Sequence, residues 1–275
     1  MRTGFYWLIA VVITLSAMIY QRTTGPTKPK RVKVTIDNTE YKLKLTRSHG
    51  GETDCKVLLP VADEAVTGTI IYKLYPTNDP WTEEALTREG ENLVATLPNL
   101  PPAGKYEYRV VLEKDGTEYH LNDKEPVLIR FKGHVPDGIL IPHIFFMFFA
   151  MFLGNLAGIM AVFKHNRYKF YTTVTVVSLF VGGMILGPLV QLYAFGEAWA
   201  GIPFAWDLTD NKTLIAFLFW VLAFAMNRNK ERPAYTVAAA VVMLLVYSIP
   251  HSMYGSQLDP ETGEIIQGWI QLFLI

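Results

Sequence analysis

Cysteine is all but missing: Cys55 stands alone in 275 residues. One thiol excludes an intramolecular disulfide, a cysteine-rich metal site and the Cys-x-x-Cys-His attachment of a c-type haem. It does not exclude a b-type haem held by histidines alone. Net charge is missing too. Lysine and arginine number 25, aspartate and glutamate 25, so no basic excess points to nucleic acid. Charged residues make up only 18% of the chain against 51% hydrophobic, and their scarcity is uneven. Residues up to Tyr20, and from about Gly138 to Ser252, carry little charge, whereas Gln21 to Lys132 holds most of it.

That division predicts a membrane α-helical bundle of about five spans with a water-soluble domain inserted after the first. Phe5 to Tyr20 is a short apolar run behind Arg2. No small-x-small cleavage site follows it, so an uncleaved signal anchor over 1–24 is expected. Ile139 to Phe163, Phe170 to Phe195, a run ending at Met226 that reaches spanning length if it begins near Asp210, and Tyr235 to Ile249 supply four more spans in a membrane domain over 134–255. The loops at Lys164–Lys169 and Asn227–Arg232 are short and basic and belong in the cytoplasm. The loop from Gly196 to Asn211 carries Glu197, Asp207 and Asp210, with Trp199 and Trp206 as interface anchors, and belongs outside. The expected location is a bacterial cytoplasmic membrane, with residues 25–133 and the carboxyl terminus on the periplasmic side. Arg22, Lys28, Lys30 and Arg31 run against this orientation, but the rule weakens for a large translocated domain.

Two glycine pairs, Gly154-x-x-x-Gly158 and Gly183-x-x-x-Gly187, predict close helix contacts. Asn155 and Gln191 are amides at membrane depth and read as interhelical hydrogen-bonding groups.

From about Arg31 to Gly133 the hydrophobic period becomes two. Val32–Ile36, Tyr41–Leu45, Gly68–Tyr75, Tyr106–Leu112 and Val127–Phe131 alternate, separated by turn signals such as Gly50-Gly51, Asp115-Gly116 and Asn122-Asp123. About seven short strands in a hundred residues predict an antiparallel β-sandwich. The stretch Leu97-Pro98-Asn99-Leu100-Pro101-Pro102-Ala103-Gly104-Lys105-Tyr106-Glu107-Tyr108-Arg109-Val110 resembles the approach to the sixth strand of a fibronectin type III or immunoglobulin-like module. The resemblance implies an immunoglobulin-like sandwich and a tyrosine corner, and leaves function open, because such modules serve as spacers, adhesive units and docking platforms. Ser48-His49 and Asp63-Glu64 lack the partners that catalysis needs.

The tripeptide Ile-Pro-His occurs twice, at 141–143 and 249–251, and the orientation above puts both histidines at the outer ends of their helices. His143 and His251 are therefore candidate ligands for a b-type haem or a transition metal such as copper or zinc. His134 and Asp137 are candidate additional ligands. Met147, one turn below His143, is a soft donor, and Glu197, Asp207 and Asp210 are candidate orienting or proton-carrying groups. The same residues also fit a structural hydrogen-bond cluster, and Asp207 and Asp210 fit helix caps. The tail, 256–275, ends in an apolar stretch too short to span, expected to lie at the interface or to pack on a bundle or partner.

Three functions remain. One is a non-catalytic subunit or assembly factor of a membrane complex, with the lipid bilayer and other membrane proteins as partners. The second is a membrane redox or metal protein. The third, a small-molecule transporter, is disfavoured by the absence of an inverted repeat of broken helices.

Overall fold

A computed structural model describes residues 3–122, 124–250 and 256–267. The chain forms two compact units. One is built from helices within 3–26 and 135–250, the other from 27–134 together with 256–266.

The helical unit contains α1 (Thr3–Thr24), α2 (Asp137–Val162), α3 (Tyr168–Leu179), a π-helical segment (Phe180–Leu186), α4 (Gly187–Phe195), α5 (Leu208–Asn227) and α6 (Pro233–Ser248). The α3–α4 stretch is one continuous helix. Four helices, Thr3–Thr24, Asp137–Val162, Tyr168–Phe195 and Leu208–Asn229, are long and apolar enough to cross a membrane, and α6 is a shorter apolar helix. Glycine permits the tightest contact. A Cβ at Gly158 would stand 2.5 Å from Ala240 Cβ, and one at Gly154 would meet Met243 and Trp220. The first glycine pair therefore lets α2 lie against α5 and α6, as small residues do where backbones approach. The second pair is uneven: Gly183 is pressed against Thr213, whereas Gly187 has ordinary van der Waals room. Trp220 is fully buried at the centre and donates its indole N–H to Met243 Sδ at 3.3 Å.

The π-helical segment has a local cause. In a regular helix Pro188 would have no N–H for the Met184 carbonyl and its ring would strike that carbonyl. One extra residue in the preceding turn relieves both conflicts. Because α2 begins at Asp137, Pro142 lies inside the helix rather than in its first turn.

In the β unit, β1 (Lys30–Ile36) and β2 (Thr39–Leu45) form an antiparallel ribbon. A larger sheet runs β3 (Ser48–Gly50), β11 (Val127–Lys132), β9 (Lys105–Lys114), β5 (Thr67–Leu74), β6 (Thr82–Ala85), with β10 (Thr117–His120) also on β9. A three-stranded sheet runs β4 (Cys55–Pro60), β8 (Asn92–Leu97), β7 (Thr87–Glu89). Inward residues of all three sheets, among them Leu43, Val57, Ile70, Leu97, Tyr108 and Phe131, close over one core. Alternation of buried and exposed positions along β4 and β11 is what period-two patterning produces.

Asn122 repairs the break between β10 and β11. Its Oδ1 accepts from Val110 N at 3.1 Å and its Nδ2 donates to Tyr108 O at 3.0 Å, replacing ladder bonds that the missing strand would make. The neighbouring Asp123 is outside the described residues. The Tyr108 hydroxyl donates to Thr46 O at 2.8 Å. That acceptor follows β2, whereas a tyrosine corner returns its bond to the loop just upstream of its own strand.

The chain after the last helix returns to this unit. Two short strands, β12 (Ser256–Leu258) and β13 (Ile265–Gln267), pair with each other around a turn held by Asp259. Leu258 N donates to Ala103 O at 3.1 Å, and Lys105 Nζ donates to Gln257 Oε1 at 2.7 Å. The apolar end of the tail, 268–275, is outside the described residues.

Candidate functional site

His143 lies on α2 opposite the π-helical segment. Its Nδ1 is 2.9 Å from Gly182 O, which also accepts from Gly187 N. A carbonyl only accepts, so Nδ1 carries the proton and Nε2 of the neutral ring keeps its lone pair. Imidazoles held through one nitrogen in this way present the other to a ligand or a proton. The approach depends on Gly182, where a Cβ would stand 2.8 Å from Phe146 Cβ. Met147 is committed to packing: its sulfur lies against Gly182 and Gly183 and takes the Tyr247 hydroxyl at 3.9 Å.

The acidic residues gather where α4 meets α5, and Asp207 and Asp210 are used by backbone. Asp207 caps α5, accepting from Thr209 N at 2.7 Å and Asp210 N at 3.0 Å. Asp210 Oδ2 accepts from Ala200 N at 2.7 Å, and Asn211 Oδ1 from Ile202 N at 2.8 Å. Gly201 makes this folding-back feasible, since a Cβ there would lie 2.8 Å from Asp210 Cβ. Burial first, then the Asp207 carboxylate, holds the Glu197 carboxyl above its ordinary range. Gln191 is nine-tenths buried beside Asp210, and its Nε2 has no hydrogen-bond partner among the described residues.

Lys212 is the residue that hydropathy reading passed over. It is buried on α5 and its ammonium donates to Ile249 O at 2.9 Å, the carbonyl at the exit of α6. The signal was its place one turn past the Asp207 cap, in a window otherwise read only as apolar. The position of His251 is outside the described residues. His134 is exposed in the β unit, and Asp137 is exposed in the first turn of α2, where its charge complements the helix dipole. Among the described residues, no three His, Cys, Asp or Glu side chains come together to hold a metal ion.

Of the two amides, Asn155 does what was expected, donating from Nδ2 to Thr14 Oγ1 at 3.0 Å and joining α2 to α1. No protein-family model matches this chain, and no curated protein matches it.

The isolated polar pairs of the β unit are structural. His49 Nε2 bonds the Thr53 carbonyl at 2.7 Å, and Asp63 accepts from Ala65 N and from Lys114 Nζ. Trp81 folds onto its own unit between Lys73 and Arg109, whose cations lie 5.2 and 4.9 Å from its ring centre. Cys55 is 1% exposed, and burial lifts its thiol to about 11, so it is neither a nucleophile nor a surface reporter.

Proposed function

We propose that this chain is a non-catalytic subunit or assembly factor of a membrane complex. Five helices cross the bilayer, and an immunoglobulin-like sandwich is displayed on the outer, periplasmic face. The observation that carries the reading is the composition of the β unit. Segments 27–134 and 256–266 belong to one unit, although α2 to α6 lie between them in sequence. Two segments of one water-soluble unit share one side of a membrane, so the number of crossings between them is even. The helices α2, α3–α4, α5 and α6 would supply four, which supports reading α6 as a span despite its 16 residues, about 24 Å at ~1.5 Å per residue. The basic loops after α2 and α5 support a direction with the β unit outside.

The first helix supports a role in assembly. Only 17% of its most apolar window is buried within the chain. Phe5, Leu8, Val12, Leu15 and Ile19 are left outward for lipid or a second membrane protein. Purification in mild detergent tests this. A second membrane protein should co-elute at fixed stoichiometry and be lost when α1 is exchanged for an unrelated apolar helix. A monomer alone contradicts the proposal.

The orientation of His143 favours a second reading, in which its Nε2 and His251 bind a b-type haem or a transition metal. Absorption spectra of the oxidised and reduced protein, with elemental analysis, decide it. No Soret band and no bound metal end it.

A further inference from the structure

The β1–β2 ribbon contains a conflict that folding alone does not explain. Its inner face is apolar: Ile36, Leu43 and Leu45 are buried, with Val32, Val34 and Tyr41 packed against the core. Its outer face is basic, with Arg31, Lys33, Lys42 and Lys44 all exposed. The register sets Arg31 directly opposite Lys44, and Lys33 directly opposite Lys42. Like charges directly across an antiparallel pair destabilise it. The one carboxylate on this face, Glu40, is shared by Lys33 at 3.2 Å and Lys42 at 3.7 Å. Asp37, in the connecting turn, is taken by Lys114 at 2.5 Å. Lysine on an exposed edge strand guards against strand addition, but that purpose is met by charge on either strand and does not call for like charges face to face.

The ribbon also has a fixed address along the chain. Only residues 25–29 separate it from the end of α1, a reach of at most about 22 Å even when fully extended. Arg22 in the last turn of α1, then Lys28 and Lys30, extend the basic run toward that helix. These are the residues that run against the charge rule for an outward-facing segment, and a charge excess beside a span attracts anionic headgroups.

We propose that the outer face of the β1–β2 ribbon, with Lys28 and Lys30 beside it in sequence, binds the headgroups of anionic phospholipids. This rests on α1 being a span and not on which leaflet it faces. Anionic headgroups supply the countercharge that the ribbon lacks, and α1 delivers the ribbon within reach of them.

The test uses the full chain reconstituted in nanodiscs of phosphatidylcholine alone or mixed with phosphatidylglycerol. Acetylation of Lys33, Lys42 and Lys44 is followed by mass spectrometry. The expected result is slower acetylation at all three in the phosphatidylglycerol discs, reversed by high salt. In the Lys42→Glu/Lys44→Glu variant, protection at Lys33 should fall at least about fivefold for each charge changed. Both positions are exposed and Lys44→Glu places a carboxylate opposite Arg31, so the ribbon itself should become more stable. Equal acetylation in the two kinds of disc overturns the proposal. So does protection in phosphatidylcholine discs by added inorganic phosphate, or by an acidic partner protein only. A chain that does not enter the discs overturns it together with the membrane reading, and is recognised by its failure to co-purify with lipid.

Discussion

The two units satisfy their buried polar groups differently. In the helical unit, several buried side chains bond to side chains on other helices: Asn155 to Thr14, the Tyr168 hydroxyl to Asn227 Oδ1 at 2.7 Å, Asn227 Nδ2 to Thr236, and Thr172 to Thr236; His143 and Lys212 instead take the carbonyls of Gly182 and Ile249. In the β unit, Lys105 bonds the Gln257 side chain, but other buried or half-buried side chains reach backbone. Asn122 fills a ladder gap, Tyr108 holds Thr46 O, and the Arg88 guanidinium holds the carbonyls of Val61, Asp63 and Val66. The cause is the backbone. A helix meets most of its own N–H and C=O groups, so few backbone partners are open to a polar side chain reaching from another helix, and the two taken here, Gly182 O and Ile249 O, lie in the π-helical turn and at a helix exit. Short strands and their connections leave backbone groups open, and buried polar side chains close them.

That contrast can be broken unit by unit. The largest effect is expected from Trp220→Ala, which empties the centre of the helical unit and removes the Met243 contact. About 3–5 kcal/mol should be lost, read as a lower midpoint of helix unfolding in detergent, with proteolytic resistance of the β unit unchanged. Next is Asn122→Ala. It leaves Val110 N and Tyr108 O unpartnered in a buried place, for about 1–3 kcal/mol. Hydrogen exchange should quicken along β9 and β11 and stay as it was in α2 and α5.

The smallest effect is a pH dependence confined to the tail. Lys105 is 6% exposed; burial first, and then Arg130, lower its ammonium from 10.5 to about 7. The folded state thus binds fewer protons than the unfolded one across that interval. Stability contributed here is least below pH 7 and rises as pH climbs toward 10.5. Exchange at Leu258 N, corrected for the intrinsic rate, should slow relative to Lys105→Met as pH rises from 7 to 9. An identical profile in the two proteins would remove the tail's dependence on this lysine.

Much of the scaffold was legible in the sequence, for identifiable reasons. Long apolar runs between charged loops mark α1, α2, α3–α4 and α5, and alternation marks β1, β2, β5, β9 and β11. Strand β4 was harder because Leu58, an apolar residue, occupies an outward position and blurs the alternation. The π-helical segment left only Gly187-Pro188 as a sign, and a proline in an apolar run signals a kink without saying which kind. The tail hairpin was hidden because its partners, Ala103 and Lys105, are about 150 residues away. At the candidate site, the pairing of His143 with Gly182 depends on that π-helical turn, and the burial of Lys212 depends on the exit carbonyl of α6. Neither is a local property of its segment.

In the proposed topology an even number of crossings returns the tail to the side of the β unit. Labelling intact cells with a membrane-impermeant maleimide tests it, in variants that each carry one introduced cysteine beside the buried Cys55. Asp79→Cys in the β unit and Glu261→Cys in the tail turn should both label without lysis, and Asn166→Cys and Asn229→Cys only after it. Labelling of Asp79→Cys and Glu261→Cys from opposite sides of the membrane would contradict the account.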